Sequence, residues 1–309
     1  MAAATPMQSQ EIRTGIMSKH SQPRLPRALV RAVAAGLAAT GLALAAGPAS
    51  SAGPVPAAAP QACRAGTLYL TFDTGSMSQA ALIADTLRRH HIKATFFLAN
   101  EPTINKDSSL DPGWAAYWKT LAADGHVFGS HTFDHVYLRG VRDGKVTMRA
   151  QFGAHAGQDV AMDQQSFCSE LNRSAQALKR LSGATMSPLW RAPGGHTAPQ
   201  TLQWAEQCGF KHVAWAPAGF LGDELSSERF PNKALLERAL RDLRDGDIAM
   251  AHLGIWSRKD PWAPGVLEPL ISGLEHKGFC FATLREHPAY RDWLRGQSAT
   301  VAGQAAGSR

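Results

Sequence analysis

A parallel α/β barrel of about seven strand–helix units is the fold this sequence predicts, on three observations. Apolar β-type runs alternate with helical patterns from Thr67 onward. No G-x-G-x-x-G follows the first strand run, which removes the nucleotide fingerprint of an open doubly wound sheet. Ionisable residues recur at the C-terminal ends of the strand runs, where parallel α/β architectures gather ligands.

The chain has 309 residues, 44% hydrophobic and 18% charged, enough to bury a substantial core. Its first segment reads as a secretory signal peptide over residues 1–52. Lys19, Arg24, Arg27 and Arg31 precede the apolar run Ala32 to Ala46, and small residues close it at Ser50-Ser51-Ala52. Met17 sits just before the basic region, so residues 1–16 read as an upstream extension. The apolar run is too short to span a bilayer, which predicts a secreted or periplasmic protein with no stable membrane span after cleavage. Residues 53–65 read as a short linker, 66–290 as a single barrel domain and 291–309 as a flexible tail. Residues 1–52 carry five Lys/Arg against one acid, which reduces the formal charge from +7 to +3 for the remainder. So modest an excess argues against a nucleic-acid partner.

Strand runs are read at 67–72 (TLYLTF), 94–98 (ATFFL), 126–130 (HVFGS), 188–193 (PLWRAP), 211–217 (KHVAWAP), 247–253 (DIAMAHL) and 278–284 (GFCFATL). Helical patterns fill the gaps, several opening on Ser, Thr or Asn and ending on Gly. The stretch Leu138 to Gln165 has weak periodicity and reads as a loop insertion after the third strand.

Polar residues that suit no core fall at the strand ends. Asp73 ends the first run, His131 follows the third, Arg191 lies near the end of the fourth, Asp223 trails the fifth and His252 closes the sixth. Five strands thus aim ionisable groups into one bowl. In GSHTFDH, His131 and His135 are four apart, one helical turn, and can present two imidazoles to one ion. Arg191 can hold a carboxylate ionised, and the Gly194-Gly195 amides can approach a developing oxyanion. His252, opposite Asp73, supplies the second half of an acid/base pair.

In their order and approximate spacing, TFDTG, HTFDH, RAPGG, the Trp215 region and MAHL resemble the polysaccharide deacetylase, or NodB-homology, family of carbohydrate esterases, over roughly residues 66–285. The resemblance implies a distorted (β/α)7 barrel and metal-assisted removal of acetyl groups from N-acetylated sugars. It implies Asp73 as general base, His252 as general acid, Arg191 as the partner orienting Asp73 and Asp223 as the group orienting His252. It also implies His131, His135 and the position of Thr74 as metal ligands. Gly194 would serve the oxyanion, Trp215 would line the site, and Met250 and Leu253 would receive the acetyl methyl. The implied cofactor is a divalent metal, zinc by its donor set, and the implied partner is an acetylated glycan of peptidoglycan or chitin type. A non-catalytic glycan-binding protein and an O-acetyl esterase are the alternatives.

The first motif departs from the family. Most members carry two consecutive Asp residues there, the second a metal ligand, whereas this chain has Thr74. Losing an anionic oxygen weakens a divalent site. Asp134 and His196 lie inside motif segments, with no sign that either faces the metal.

The cysteines are Cys63, Cys168, Cys208 and Cys280, with no C-x-x-C pair, and export permits disulfides. In a closed barrel the first and seventh strands are neighbours, which predicts a Cys63–Cys280 bridge. Cys168 opens the third helix and Cys208 ends the fourth, a helix length of roughly 20 Å apart, which predicts no bridge between them.

Overall fold

A computed structural model describes residues 63–306. The predicted signal peptide and most of the linker lie outside the described residues. Ten strands are present among the described residues. Seven form one sheet: β1 (Gly66–Asp73), β2 (Thr95–Leu98), β3 (Val127–Ser130), β7 (Leu189–Trp190), β8 (Lys211–His212), β9 (Ile248–His252) and β10 (Phe279–Phe281). All pairings in this sheet are parallel. Helices α1 (Ala80–Arg89), α2 (Ala115–Ala123), α3 (Gln164–Ser182), α4 (Pro199–Gln207), α5 (Asn232–Asp242) and α6 (Glu268–His276) lie between successive strands of that sheet. This is the distorted (β/α)7 fold that the alternation predicts.

Alternation along β1 explains its sequence. Leu68, Leu70 and Phe72 face outward into the main helix-covered core. Tyr69, Thr71 and Asp73 have the opposite parity and face inward: Tyr69 joins Phe97, Leu189, Val213 and Ile248 in a second apolar cluster, and the Thr71 hydroxyl donates to the Ala249 carbonyl (2.7 Å). Asp73 is the last inward position.

The strand order differs from simple succession. β9 pairs with β1 from Tyr69 to Asp73, and β10 pairs with β1 only from Gly66 to Leu68. β2 takes over from β10 along the other edge of β1, from Thr71 to Asp73. The sixth unit, rather than the seventh, therefore runs beside the C-terminal end of the first. Short contacts of the 213–221 segment, Val213 N–H to the Trp190 carbonyl and Ala216 N–H to the Ile248 carbonyl, link β7 to β9.

Three further expectations need correction. The 138–165 stretch is not a loop: β4 (Val136–Arg142), β5 (Lys145–Ala150) and β6 (Asp159–Met162) form an antiparallel three-stranded sheet. Val146, Met148 and Ala150 bury its inner face against Phe167 and Trp190. Alternation there is masked by charged residues on the exposed face, so it reads as polar. The tail is not flexible from residue 291: α7 spans Pro288–Ala306, and Leu294 packs with Tyr69 and Val213 while the Trp293 indole donates to the Pro188 carbonyl (3.2 Å). Its amphipathic stripe, with few apolar residues, gives a weak signal.

The Cys63–Cys280 bridge forms as expected, with Cα atoms 5.2 Å apart. A Cys168–Cys208 bridge forms as well, with Cα atoms 5.7 Å apart, against expectation. The third and fourth helices begin and end close to where the sequence places them, so the error lay in position. The β4–β6 sheet intervenes between β3 and α3, and Phe167 then packs on Trp190 and Trp204, with ring centroids 5.3 and 6.3 Å away. That contact seats the first turns of α3 on the C-terminal end of α4. Closing a loop of 40 residues stabilises by about 4 kcal/mol in the chain-entropy picture.

Candidate active site

The C-terminal ends of the strands open into a cavity of about 330 Å³. Asp73, His131, His135, Gly194, Trp215, Met250 and His252 all line it. The residues that sequence reasoning drew from five strand ends therefore meet at one place.

Asp73 and His252 are direct Cα partners across β1 and β9, so parallel pairing turns both side chains to the same face. On its other edge Asp73 is partnered by Phe97. The Arg191 guanidinium lies over that ring, 4.3 Å from its centroid, and donates from Nη1 to Asp73 Oδ1 (2.8 Å). Arg191 is fully buried and Asp73 nearly so. Gly129 makes this stacking possible, because a Cβ there would come within 2.6 Å of the Phe97 ring. Burial pushes the Asp73 carboxyl up, but Arg191, then His131 and His252, outweigh it and hold the group below the usual carboxylate range.

His252 has the opposite environment. Burial pulls the imidazole down, yet Asp223, with Asp73 and Glu224, overcomes it and the pKa is pushed up to about 10. Asp223 Oδ2 accepts from the His252 backbone N–H (2.6 Å), and both carboxylate oxygens lie 3.1 Å from Nδ1. Nδ1–H is thereby fixed on the Asp223 side, which leaves Nε2 for the cavity.

His131 and His135 come together, with ring centroids 4.7 Å apart, but not on a helix. They sit in the loop between β3 and β4, where Thr132 and His135 adopt φ of 58° and 50°. Two left-handed residues turn the chain back within the four-residue spacing, which helical spacing imitates. His131 Nδ1 lies 3.0 Å from the Arg191 carbonyl, and Nε2 points toward Asp73 Oδ2 at 3.6 Å. His135 Nδ1 is buried without a hydrogen-bond partner among the described residues. Burial lowers the pKa of both rings, that of His135 to about 4, so both are neutral with lone pairs to give. Two oriented neutral imidazoles, one with an orphaned ring nitrogen, beside an ionised carboxylate fit a divalent cation.

Not every predicted residue reaches the cavity. Leu253 is fully buried in the main core, its N–H donating to the Asp73 carbonyl, and Ile255 and Trp256 line the cavity beyond Met250. Thr74 is fully buried with its hydroxyl engaged, donating to Glu101 Oε1 (2.5 Å) and accepting from the Ala99 N–H (3.2 Å). Asp134 is ion-paired with Arg173 (2.7 Å) outside the cavity, and His196 is exposed.

Residues that the sequence reading missed complete the wall. Tyr137, Gln151 and Phe152 come from the β4–β6 insertion, and Trp256, 62% exposed, stands at the rim. Glu101, on the loop after β2, is 8% exposed and lines the cavity with the two histidines. Its signal was slight: a lone acid before Pro102 in a segment read as a connector.

The family described as "Polysaccharide deacetylase" matches residues 61–213. Among curated proteins, the chain is 25% identical over 233 residues to a chitooligosaccharide deacetylase of Azorhizobium caulinodans, covering 71% of this chain and 92% of that one. Among solved structures, the Bc1960 peptidoglycan N-acetylglucosamine deacetylase is 22% identical, with a TM-score of 0.52 over 72% of this chain and 87% of the other. A family 4 acetyl xylan esterase from Clostridium thermocellum, solved with a cobalt ion, is 19% identical, with a TM-score of 0.54 over 71% and 89%. Both structural likenesses are likenesses of fold.

Proposed function

The chain belongs to the polysaccharide deacetylase family of carbohydrate esterases, and we propose that it removes N-acetyl groups from an N-acetylated glycan of peptidoglycan or chitin type, with Asp73 as base and His252 as acid. The observation that carries this reading is the in-register pair of Asp73 and His252 in opposed environments, one held ionised and the other held protonated. A module that only bound glycan would need neither. A divalent ion held by His131 and His135, zinc by their chemistry, would act as a Lewis acid on the acetamide carbonyl and acidify the attacking water.

The chain's own groups account for the proton transfers. Asp73, kept ionised by Arg191, accepts the proton of the attacking water. His252 Nε2 donates to the departing amine, and Asp223 stabilises the imidazolium until it does. The Gly194 amide, in a turn with φ of 63° at the cavity wall, is placed to meet the developing oxyanion. Met250 offers an apolar wall for the methyl group. The two disulfides suit an exported chain and support a secreted or periplasmic location.

Acetate release from N-acetylglucosamine oligomers and from peptidoglycan, with chelator and then with added zinc or cobalt, tests the reading. Release that chelation abolishes and metal restores is the expected result; no release from either glycan by folded, metal-loaded protein would overturn it. A second outcome concerns pH. Asp223→Asn removes the main anion raising His252, so its pKa falls and the high-pH limb of kcat/KM should move down by more than about one pH unit. An unmoved limb would show that His252 is not the acid.

A further inference from the structure

We propose that Glu101 is the third protein ligand of the metal site and supplies the anionic oxygen that the first motif lacks at Thr74. The assignment rests on the metal-assisted reading above.

Four observations carry it. The Asp73–Phe97 pairing brings the loop after β2 alongside the Thr74-Gly75 turn, and Glu101 lines the cavity with His131 and His135. Both hydrogen bonds to its carboxylate fall on Oε1, from the Thr74 hydroxyl (2.5 Å) and the Gly75 N–H (2.8 Å). Oε2 accepts none among the described residues. The side chain is nearly buried, yet no Lys or Arg among the described residues pairs with it. A buried carboxylate without a cation is costly, and a divalent ion is the compensating charge that this cavity can take. Finally, the loop is fixed: the Ser109 hydroxyl donates to the Ala99 carbonyl (2.5 Å) and accepts from the Glu101 N–H (3.2 Å), while the Ser109 N–H donates to the Glu101 carbonyl (2.8 Å).

Thr74 then has a defined task. Its hydroxyl orients Glu101 through Oε1, so the residue that replaced a ligand now holds the replacement. Gly75 is required for the same reason: it adopts φ of 78°, and a Cβ there would lie 2.3 Å from the Gly254 carbonyl oxygen. Among the described residues no three His, Cys, Asp or Glu side chains stand close enough to enclose an ion, and the assignment therefore requires Glu101 to turn Oε2 toward the two histidines when the ion binds.

Zinc affinity of the full-length protein, measured by competition with a chromophoric chelator, tests the assignment, with the visible absorption of bound cobalt(II) as a second readout of coordination. Glu101→Gln should weaken zinc at least about a hundredfold, beyond the roughly ten- to hundredfold that losing a supporting group costs, and should change the cobalt spectrum. Thr74→Val, which keeps the carboxylate and removes only the hydroxyl that orients it, should weaken zinc by about tenfold, well short of the loss in Glu101→Gln. Thr74→Asp combined with Glu101→Gln, which returns a carboxylate to the first motif, should recover to within about tenfold. Wild-type affinity in Glu101→Gln, or a loss in Thr74→Val as large as in Glu101→Gln, would overturn the assignment. Should Glu101→Gln fail to fold, the other two variants decide it, and a folded double variant that binds no zinc counts against it. Wild-type protein that binds no zinc would instead remove the metal reading itself.

Discussion

Asp73→Asn and His252→Ala should each lower acetate release at least about a hundredfold, because each removes one proton-transfer group from a pair that acts together. The two losses should not multiply. With the base gone the attacking water is not activated, and the acid then has little to protonate, so the double variant should fall only slightly below the worse single one. The comparison is kcat/KM on one defined N-acetylglucosamine oligomer, with thermal melts confirming that each variant is folded. Turnover near wild type in either single variant would remove the assigned roles.

Arg191→Leu should be the most destabilising single change in the site, by about 3–5 kcal/mol, because it strands a buried carboxylate. Arg191 is fully buried, stacks on Phe97 and holds Asp73, so cation and anion were desolvated together. The pH dependence has a definite sign. Asp73 has a lowered pKa in the folded protein, so its stabilisation is present above the unfolded carboxylate value of about 4 and is lost as pH falls through the folded value. Without Arg191, burial dominates and the carboxyl rises, so the acidic limb of activity should move to higher pH while stability falls near neutrality. Denaturant unfolding at pH 7 and the pH–rate profile measure the two effects. A loss under about 1 kcal/mol would show that the pair contributes little to holding the strands.

Much of the candidate site was legible because ionisable groups at strand ends interrupt otherwise apolar runs. Asp73 after TLYLTF and His252 after DIAMA are polar residues at the close of inward-facing stripes, and that pattern survives without any knowledge of strand order. What escaped depended on contacts between segments distant in sequence. Glu101 is 27 residues from Thr74 and carries no local pattern. Leu253 lies one position beyond His252, and the period-2 rule, applied strictly, would have turned it outward into the core, where it is. The Cys168–Cys208 bridge escaped because an antiparallel sheet inserted between β3 and α3 moves the helix, and the sequence of that sheet alternates too weakly to announce it.

The pairing of Asp73 with His252 along adjacent strands divides the molecule into a part that can be exchanged and a part that cannot. Slipping either strand by one residue would turn Asp73 or His252 to the opposite face and break up the proposed acid/base pair. The wall supplied by Tyr137, Gln151, Phe152 and Trp256 stands on a hairpin sheet and a connecting loop, outside that ladder. Grafting rim segments from relatives with other glycan preferences should therefore change which sugar chain is admitted and leave the acid and base where they are. Lineages diversifying this scaffold would be expected to vary the rim freely while keeping the lengths of β1 and β9 unchanged.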